Sequence, residues 1–107
     1  MDLHQLALER SLYFHRLVAQ RIRRDPAILE RARKRVRMWL AETPDRPYVR
    51  EWEKVLAGDA ESVAAFIVDR SERAEELRQS SPFAGALDAR ERWRVWRETP
   101  ERFMGEG

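Results

Sequence analysis

Acid–base, nucleophilic and metal chemistry find little material in this chain. Its only histidines, His4 and His15, stand eleven residues apart on what reads as one helix. That spacing is about three turns, or roughly 16 Å, so the two cannot share a ligand. Cysteine is absent, which removes thiol nucleophiles, thiolate metal sites and disulfides, and suits a reducing cytoplasm. There is no Glu-x-x-His pair, no His-Glu-x-x-His zinc motif and no phosphate-cradling glycine loop. Glu72, Glu75 and Glu76 lie close together, but Arg70, Arg73 and Arg78 interleave with them. That is the pattern of a solvated helix laced with i,i+3 and i,i+4 ion pairs. The chain is therefore not expected to be an enzyme or to need a metal or cofactor, and His15 is expected at a core edge or on the surface.

Recognition chemistry is better supplied. Trp93 and Trp96 follow an apolar turn, Pro82-Phe83-Ala84-Gly85-Ala86-Leu87, and are flanked by Arg90, Arg92, Arg94 and Arg97. Tryptophan beside arginine is the usual composition of interface hot spots. Pro82 and Gly85 interrupt any continuous helix. Phe83 and Leu87 then place apolar side chains where a solvent loop would be polar, so the turn plugs onto this domain or onto a partner. The candidate partner-binding residues are Phe83, Leu87, Arg90, Trp93, Arg94, Trp96 and Arg97. A second candidate lies in the run from Arg16 to Arg37, which holds nine basic and two acidic residues. Its nucleic-acid set is Arg23, Arg24, Arg31, Lys34 and Arg35, because phosphate binding needs clustered, accessible cations. The cations spread around their helix, however, and no helix-turn-helix spacing or aromatic stacking platform accompanies them.

Helices must position these residues. Residues 3 to 23 hold no breaker and are capped by Asp2. Their apolar arc runs from Leu3, Leu6, Tyr13, Phe14, Leu17 and Val18 around to Leu12, Ala19 and Ile22. Such a wide arc needs more than one covering surface, either inside a bundle or at an oligomer interface. Asp25-Pro26 opens a second helix that Thr43-Pro44 closes, with Ile28, Leu29, Ala32, Val36, Trp39 and Leu40 at buried-face spacing. Pro47 opens a third, bearing Tyr48, Trp52, Val55 and Leu56, with Gly58 expected as its C-cap. A fourth is expected from about 60 to 79, with Ser71 able to divide it and with the end beyond Ala74 projecting outward. Asp88 and Glu91 read as a capping box for a fifth helix ending near Glu98, where Thr99-Pro100 closes it. The tail that follows is expected to be loose, with Phe103 and Met104 adding one more contact.

These 107 residues suffice for one domain that buries roughly 60 to 65% of its unfolded surface. The expected fold is all-α, a single small helical domain of four to five helices spanning residues 1–98, with a flexible tail over 99–107. Its core is built around the first and fourth helices, with Trp39, Trp52 and Phe66 inside. Glu9, Arg10, Arg16 and Arg21 interrupt the first helix, so it is neither a signal peptide nor a membrane span, and a cytoplasmic protein is expected. Charge is polarised beneath a net +2. Residues 1–50 carry 12 basic and 6 acidic side chains, and 51–107 carry 9 and 13. Arginine outnumbers lysine 19 to 2, a ratio that reports a GC-rich genome more than arginine-specific chemistry.

Ser81-Pro82-Phe83-Ala84-Gly85-Ala86-Leu87 followed by Glu91-Arg92-Trp93, with the earlier Asp25-Pro26-Ala27, Trp39-Leu40 and Leu77-Arg78-Gln79, resembles small helical proteins of GC-rich bacteria. Those proteins are often encoded beside a toxin-like gene and look like antitoxins, some paired with nucleotidyltransferase-type toxins. The resemblance runs from about Leu12 to Arg97 and implies a protein-binding module that neutralises a cognate toxin by direct contact. It implies no catalytic residues, and the separate DNA-binding module of many antitoxins is not recognisable here. The alternatives are a nucleic-acid-associated regulator using the basic 16–37 segment and a self-associating structural protein.

Overall fold

A computed structural model describes residues 2–106 of the backbone and the side chains of residues 2–100. Among the described residues the chain forms six helices and no strand. They are α1 (Leu3–Ile22), α2 (Pro26–Glu42), α3 (Pro47–Leu56), α4 (Ala60–Ile67), α5 (Glu72–Arg78) and α6 (Ala89–Glu106). The all-α class stands, with one or two helices more than expected.

Most helix starts follow from local chemistry. A helix leaves its first amides without intrahelical partners, and a short polar side chain can take one of them. Asp2 accepts from the His4 amide at 2.9 Å, Asp25 from Ala27 at 3.1 Å and Asp59 from Ser62 at 2.8 Å. Pro26 and Pro47 sit in the first turns of α2 and α3, where a missing donor costs nothing. The capping box is complete, the Glu91 amide donating to Asp88 at 2.8 Å and the Asp88 amide to Glu91 at 3.2 Å. Ser71 is the break it promised to be, its hydroxyl accepting from Ala74 at 3.2 Å to start α5. That division supplies the extra helix.

Three expected boundaries differ. Ala57, with an ordinary right-handed φ of −72°, is the C-cap of α3 in place of Gly58. Arg33 of α2 reaches over instead, donating to the Leu56 carbonyl at 2.8 Å and the Gly58 carbonyl at 3.0 Å. The outer end of α5 does not project, because Leu77 and Arg78 are buried. Nor does Thr99-Pro100 end the last helix, since α6 continues through Pro100 to Glu106. Proline has no amide to give the Trp96 carbonyl four residues back. That carbonyl accepts from Arg10 Nε of α1 at 3.2 Å, while the Thr99 hydroxyl donates to the Val95 carbonyl at 2.5 Å. A long-range partner thus satisfies the group that proline leaves open, and the helix can pass. The side chains of Phe103 and Met104 lie outside the described residues.

The wide apolar arc of α1 is covered from within, because α1 packs against α2, α4, α5 and α6. Val18, Ile22, Val49, Trp52, Val63, Ile67 and Phe83 are fully buried at the centre. Trp39 and Phe66, expected inside, are only partly buried and pack on its margin. Trp52 meets Phe66 and Phe83 edge to face, at 6.4 and 6.1 Å between ring centroids, an arrangement the ring quadrupoles favour. No helix is long and apolar enough to cross a membrane among the described residues.

Candidate partner-binding face

The residues singled out between 83 and 97 separate into two populations. Phe83 and Leu87 are 1% and 2% exposed and belong to the core. They are therefore not available to a partner, which corrects their place in the candidate set. The physical reason lies in the short turn. Ala86 donates to the Phe83 carbonyl at 2.9 Å, and Ser81 Oγ accepts from the Phe83 amide at 3.1 Å. These bonds aim the Phe83 ring inward at Trp52. No described glycine has a positive φ, so Gly85 is not needed there for left-handed backbone.

Trp93 and Trp96 do the opposite, at 58% and 52% exposed. Their rings lie parallel, 5.4 Å between centroids and 10° between planes. They are one turn apart on the side of α6 away from Val95 and Thr99, which are buried against the domain. The Arg10 guanidinium lies 4.1 Å from the Trp96 ring centroid, so one arginine of α1 holds both the carbonyl and the ring of Trp96. A cation placed over an indole face is attracted by its quadrupole, by about 0.5–1 kcal/mol at an exposed site.

Charges complete this face. Arg94 Nε donates to Glu98 at 3.0 Å, and the Tyr13 hydroxyl donates to the same carboxylate at 2.8 Å. Hydrogen bonding to Glu98 raises the Arg94 pKa above its ordinary value, so this guanidinium stays charged. Glu91 receives both terminal nitrogens of Arg21, pinning the first turn of α6 to the end of α1. Arg90 and Arg97 are exposed and form no ion pair among the described residues. The resulting surface is an aromatic plate edged by cations.

The nucleic-acid candidates are also divided. Arg23 is held by Glu61 at 2.9 Å. Arg24, Arg31, Lys34 and Arg35 are exposed and have no acidic partner among the described residues. Arg31, Lys34 and Arg35 share the solvent side of α2, so the even spread of cations around that helix is broken. Arg33 turns inward to the end of α3, Arg37 lies exposed further along α2, and Arg31, Lys34 and Arg35 cluster.

Two polar side chains in the interior had no obvious signal. His15 is 2% exposed, which corrects the expectation of a core-edge or surface histidine. Its Nδ1 lies 2.7 Å from the Ser11 carbonyl, and its Nε2 lies 2.7 Å from Ser81 Oγ. A carbonyl can only accept, so Nδ1 carries the proton and Nε2 receives the Ser81 hydroxyl. Burial holds the His15 pKa down at about 4, with the nearby Arg78 charge acting in the same direction. Arg78 donates to the Asp69 carbonyl at 2.5 Å and the Ile67 carbonyl at 3.4 Å, closing the α4–α5 break. Burial lowers its pKa as well. The one available signal was negative, in that a helix divided at Ser71 leaves carbonyls of α4 needing a donor.

Among the described residues, no group of three or more His, Cys, Asp or Glu side chains is placed to hold a metal ion. No protein-family model, curated protein or solved structure matches the chain.

Proposed function

We propose that this chain is a protein-binding module that presents the outer face of α6 to an acidic surface of a partner protein. The observation that carries this reading is the parallel Trp93–Trp96 stack, which is more than half exposed yet braced by Arg10. Two large rings held rigidly in water lose little side-chain freedom on docking, and they are the residue type that dominates hot spots. Arg90 and Arg97, which form no ion pair among the described residues, stand at the edge of the plate and complement carboxylates. Phe83 and Leu87 serve this face indirectly, by fixing the turn that leads into α6.

In its most concrete form the module is an antitoxin and the partner a cognate toxin whose cleft receives the tryptophans. That form rests on the short motifs from Asp25 to Trp93 alone. Co-expression with the product of the adjacent gene tests it. Formation of a complex by the full chain, weakened at least about a hundredfold by Trp93→Ala with Trp96→Ala at unchanged fold, supports the reading. A complex of unchanged affinity with both tryptophans removed sinks the α6 face. No complex at all removes the antitoxin form, and sedimentation of the chain alone then decides whether the occupant is a second copy.

A further inference from the structure

Ion pairing on this surface is uneven. Arg21, Arg23, Arg33, Arg50, Lys54, Arg70, Arg73 and Arg94 each lie within 4.0 Å of a carboxylate. Among the described residues several other cations, Arg24 and Arg37 of the same region included, have no such partner, but Arg31, Lys34 and Arg35, which also lack one, are set apart by occupying i, i+3 and i+4 of one helix. Like charges at that spacing repel, costing a few tenths of a kcal/mol for each pair. An anion placed between them would relieve this repulsion.

Arg31 and Arg35 also border a notch of about 260 Å³, formed where α2 meets the 82–86 turn. Its walls include Ile28, Ala32, Phe83 and Gly85, and no aspartate or glutamate lines it. The site thus has an apolar floor and two guanidinium forks at its rim. The three cations span only about 6 Å along the helix axis, four residues at 1.5 Å each, which suits one phosphate group rather than a nucleic-acid strand. Two guanidiniums match a dianion in charge and offer paired donors to its oxygens.

We propose that this notch binds a phosphomonoester dianion carried on a small apolar body, with Arg31 and Arg35 taking the phosphate and Gly85 and Ala86 of the turn facing the body. The site is separate from the α6 plate and does not depend on it. Gly85 makes a test possible that leaves every charge in place. A Cβ built there meets only Arg35 Nη2, at 3.8 Å, an ordinary contact, so a larger side chain would fold and occupy the notch.

Phenyl phosphate titrated into the full chain at about 50 mM salt, followed by amide and arginine Nε–H NMR shifts, tests the proposal. The expected result is saturable binding with Kd near or below about 1 mM, with shifts confined to 28–35 and 82–86. Inorganic phosphate should bind more weakly for want of the apolar body, and phenyl sulfate more weakly for its single charge. Arg31→Gln, Arg35→Gln and Gly85→Leu should each weaken phenyl phosphate about tenfold or more, with unchanged thermal melts showing that the fold is kept. Absence of saturation by about 20 mM would overturn the proposal. So would an unaltered affinity in a folded Gly85→Leu chain. A single-stranded oligonucleotide that binds more tightly than phenyl phosphate, with shifts spreading to Arg23 and Arg24, would replace it with the strand-binding reading.

Discussion

The Ser81 hydroxyl donates to Nε2 of His15 across 66 residues of sequence, at 2.7 Å. This bond ties the segment that carries Phe83 to the middle of α1. It also requires a neutral imidazole, because a protonated Nε2 has no lone pair with which to accept.

Stability should therefore depend on pH through His15. Its folded pKa of about 4 lies below the ordinary 6.5, so as pH falls the unfolded chain takes up the proton first. The contribution is complete above pH 6.5, declines as pH drops through the window and is exhausted near pH 4. The slope is at most about 1.4 kcal/mol per pH unit and the total about 3 kcal/mol. Glu51, Asp59 and Asp69 also have lowered pKa values, from 4.5, 3.8 and 3.8, held down first by hydrogen bonds from Arg73, Ser62 and Ser71 respectively. Their losses begin only at lower pH. Urea unfolding between pH 7.5 and 5 should show the decline in the native chain and a flat profile in His15→Gln, whatever the absolute stability of that variant.

Phe83→Ala should cost about 3–5 kcal/mol, the range for emptying a buried aromatic site. Trp93→Ala should cost under about 1 kcal/mol, since it forfeits only a stacking contact in solvent. Equal losses in chemical denaturation would contradict the opposite burial of these two aromatics.

Arg10 and Pro100 should be energetically coupled through the Trp96 carbonyl. Arg10→Ala removes that carbonyl's donor together with the contact over the indole, for about 1–2 kcal/mol. Pro100→Ala restores a local amide, so it should stabilise the Arg10→Ala chain more than the native one. A double-mutant cycle on thermal unfolding with an interaction energy near zero would exclude this coupling.

Arg78 and Arg73 lie five residues apart but should respond differently. Arg78→Met leaves the Ile67 and Asp69 carbonyls without their donor and should cost about 2 kcal/mol. Arg73→Met breaks an exposed pair with Glu51 and a contact 5.2 Å from the Phe66 ring centroid, and should cost under about 1 kcal/mol. Urea midpoints of the two variants measure the difference, and raised salt should shrink only the Arg73 effect.

Helix starts were the most legible part of the chain, because their causes lie within three or four residues. Asp25-Pro26 and the Asp88–Glu91 box act through backbone amides next to them in sequence, and Ser71 announced the α4–α5 break by the same mechanism. Pro100 misled for a complementary reason. Proline's cost is local and visible, whereas the Arg10 side chain that offsets it comes from a helix 86 residues away in sequence. Gly58 misled similarly: its amide donates to the Val55 carbonyl at 3.2 Å without left-handed backbone, and the Leu56 carbonyl is taken by Arg33 from a distant helix.

By itself, the sequence determined an all-helical chain, a broadly apolar α1 needing several neighbours, and an aromatic, arginine-rich segment after residue 80. Those properties rest on periodicity, propensity and capping, which are short-range. Only the tertiary structure decided that Phe83 turns inward while Trp93 and Trp96 turn out, that His15 is buried and clamped, and that Arg31 and Arg35 border a notch beside the 82–86 turn. Which side of a helix faces the core, and which polar group finds a partner, depends on elements distant in sequence. Periodicity within one segment carries no record of what packs against it.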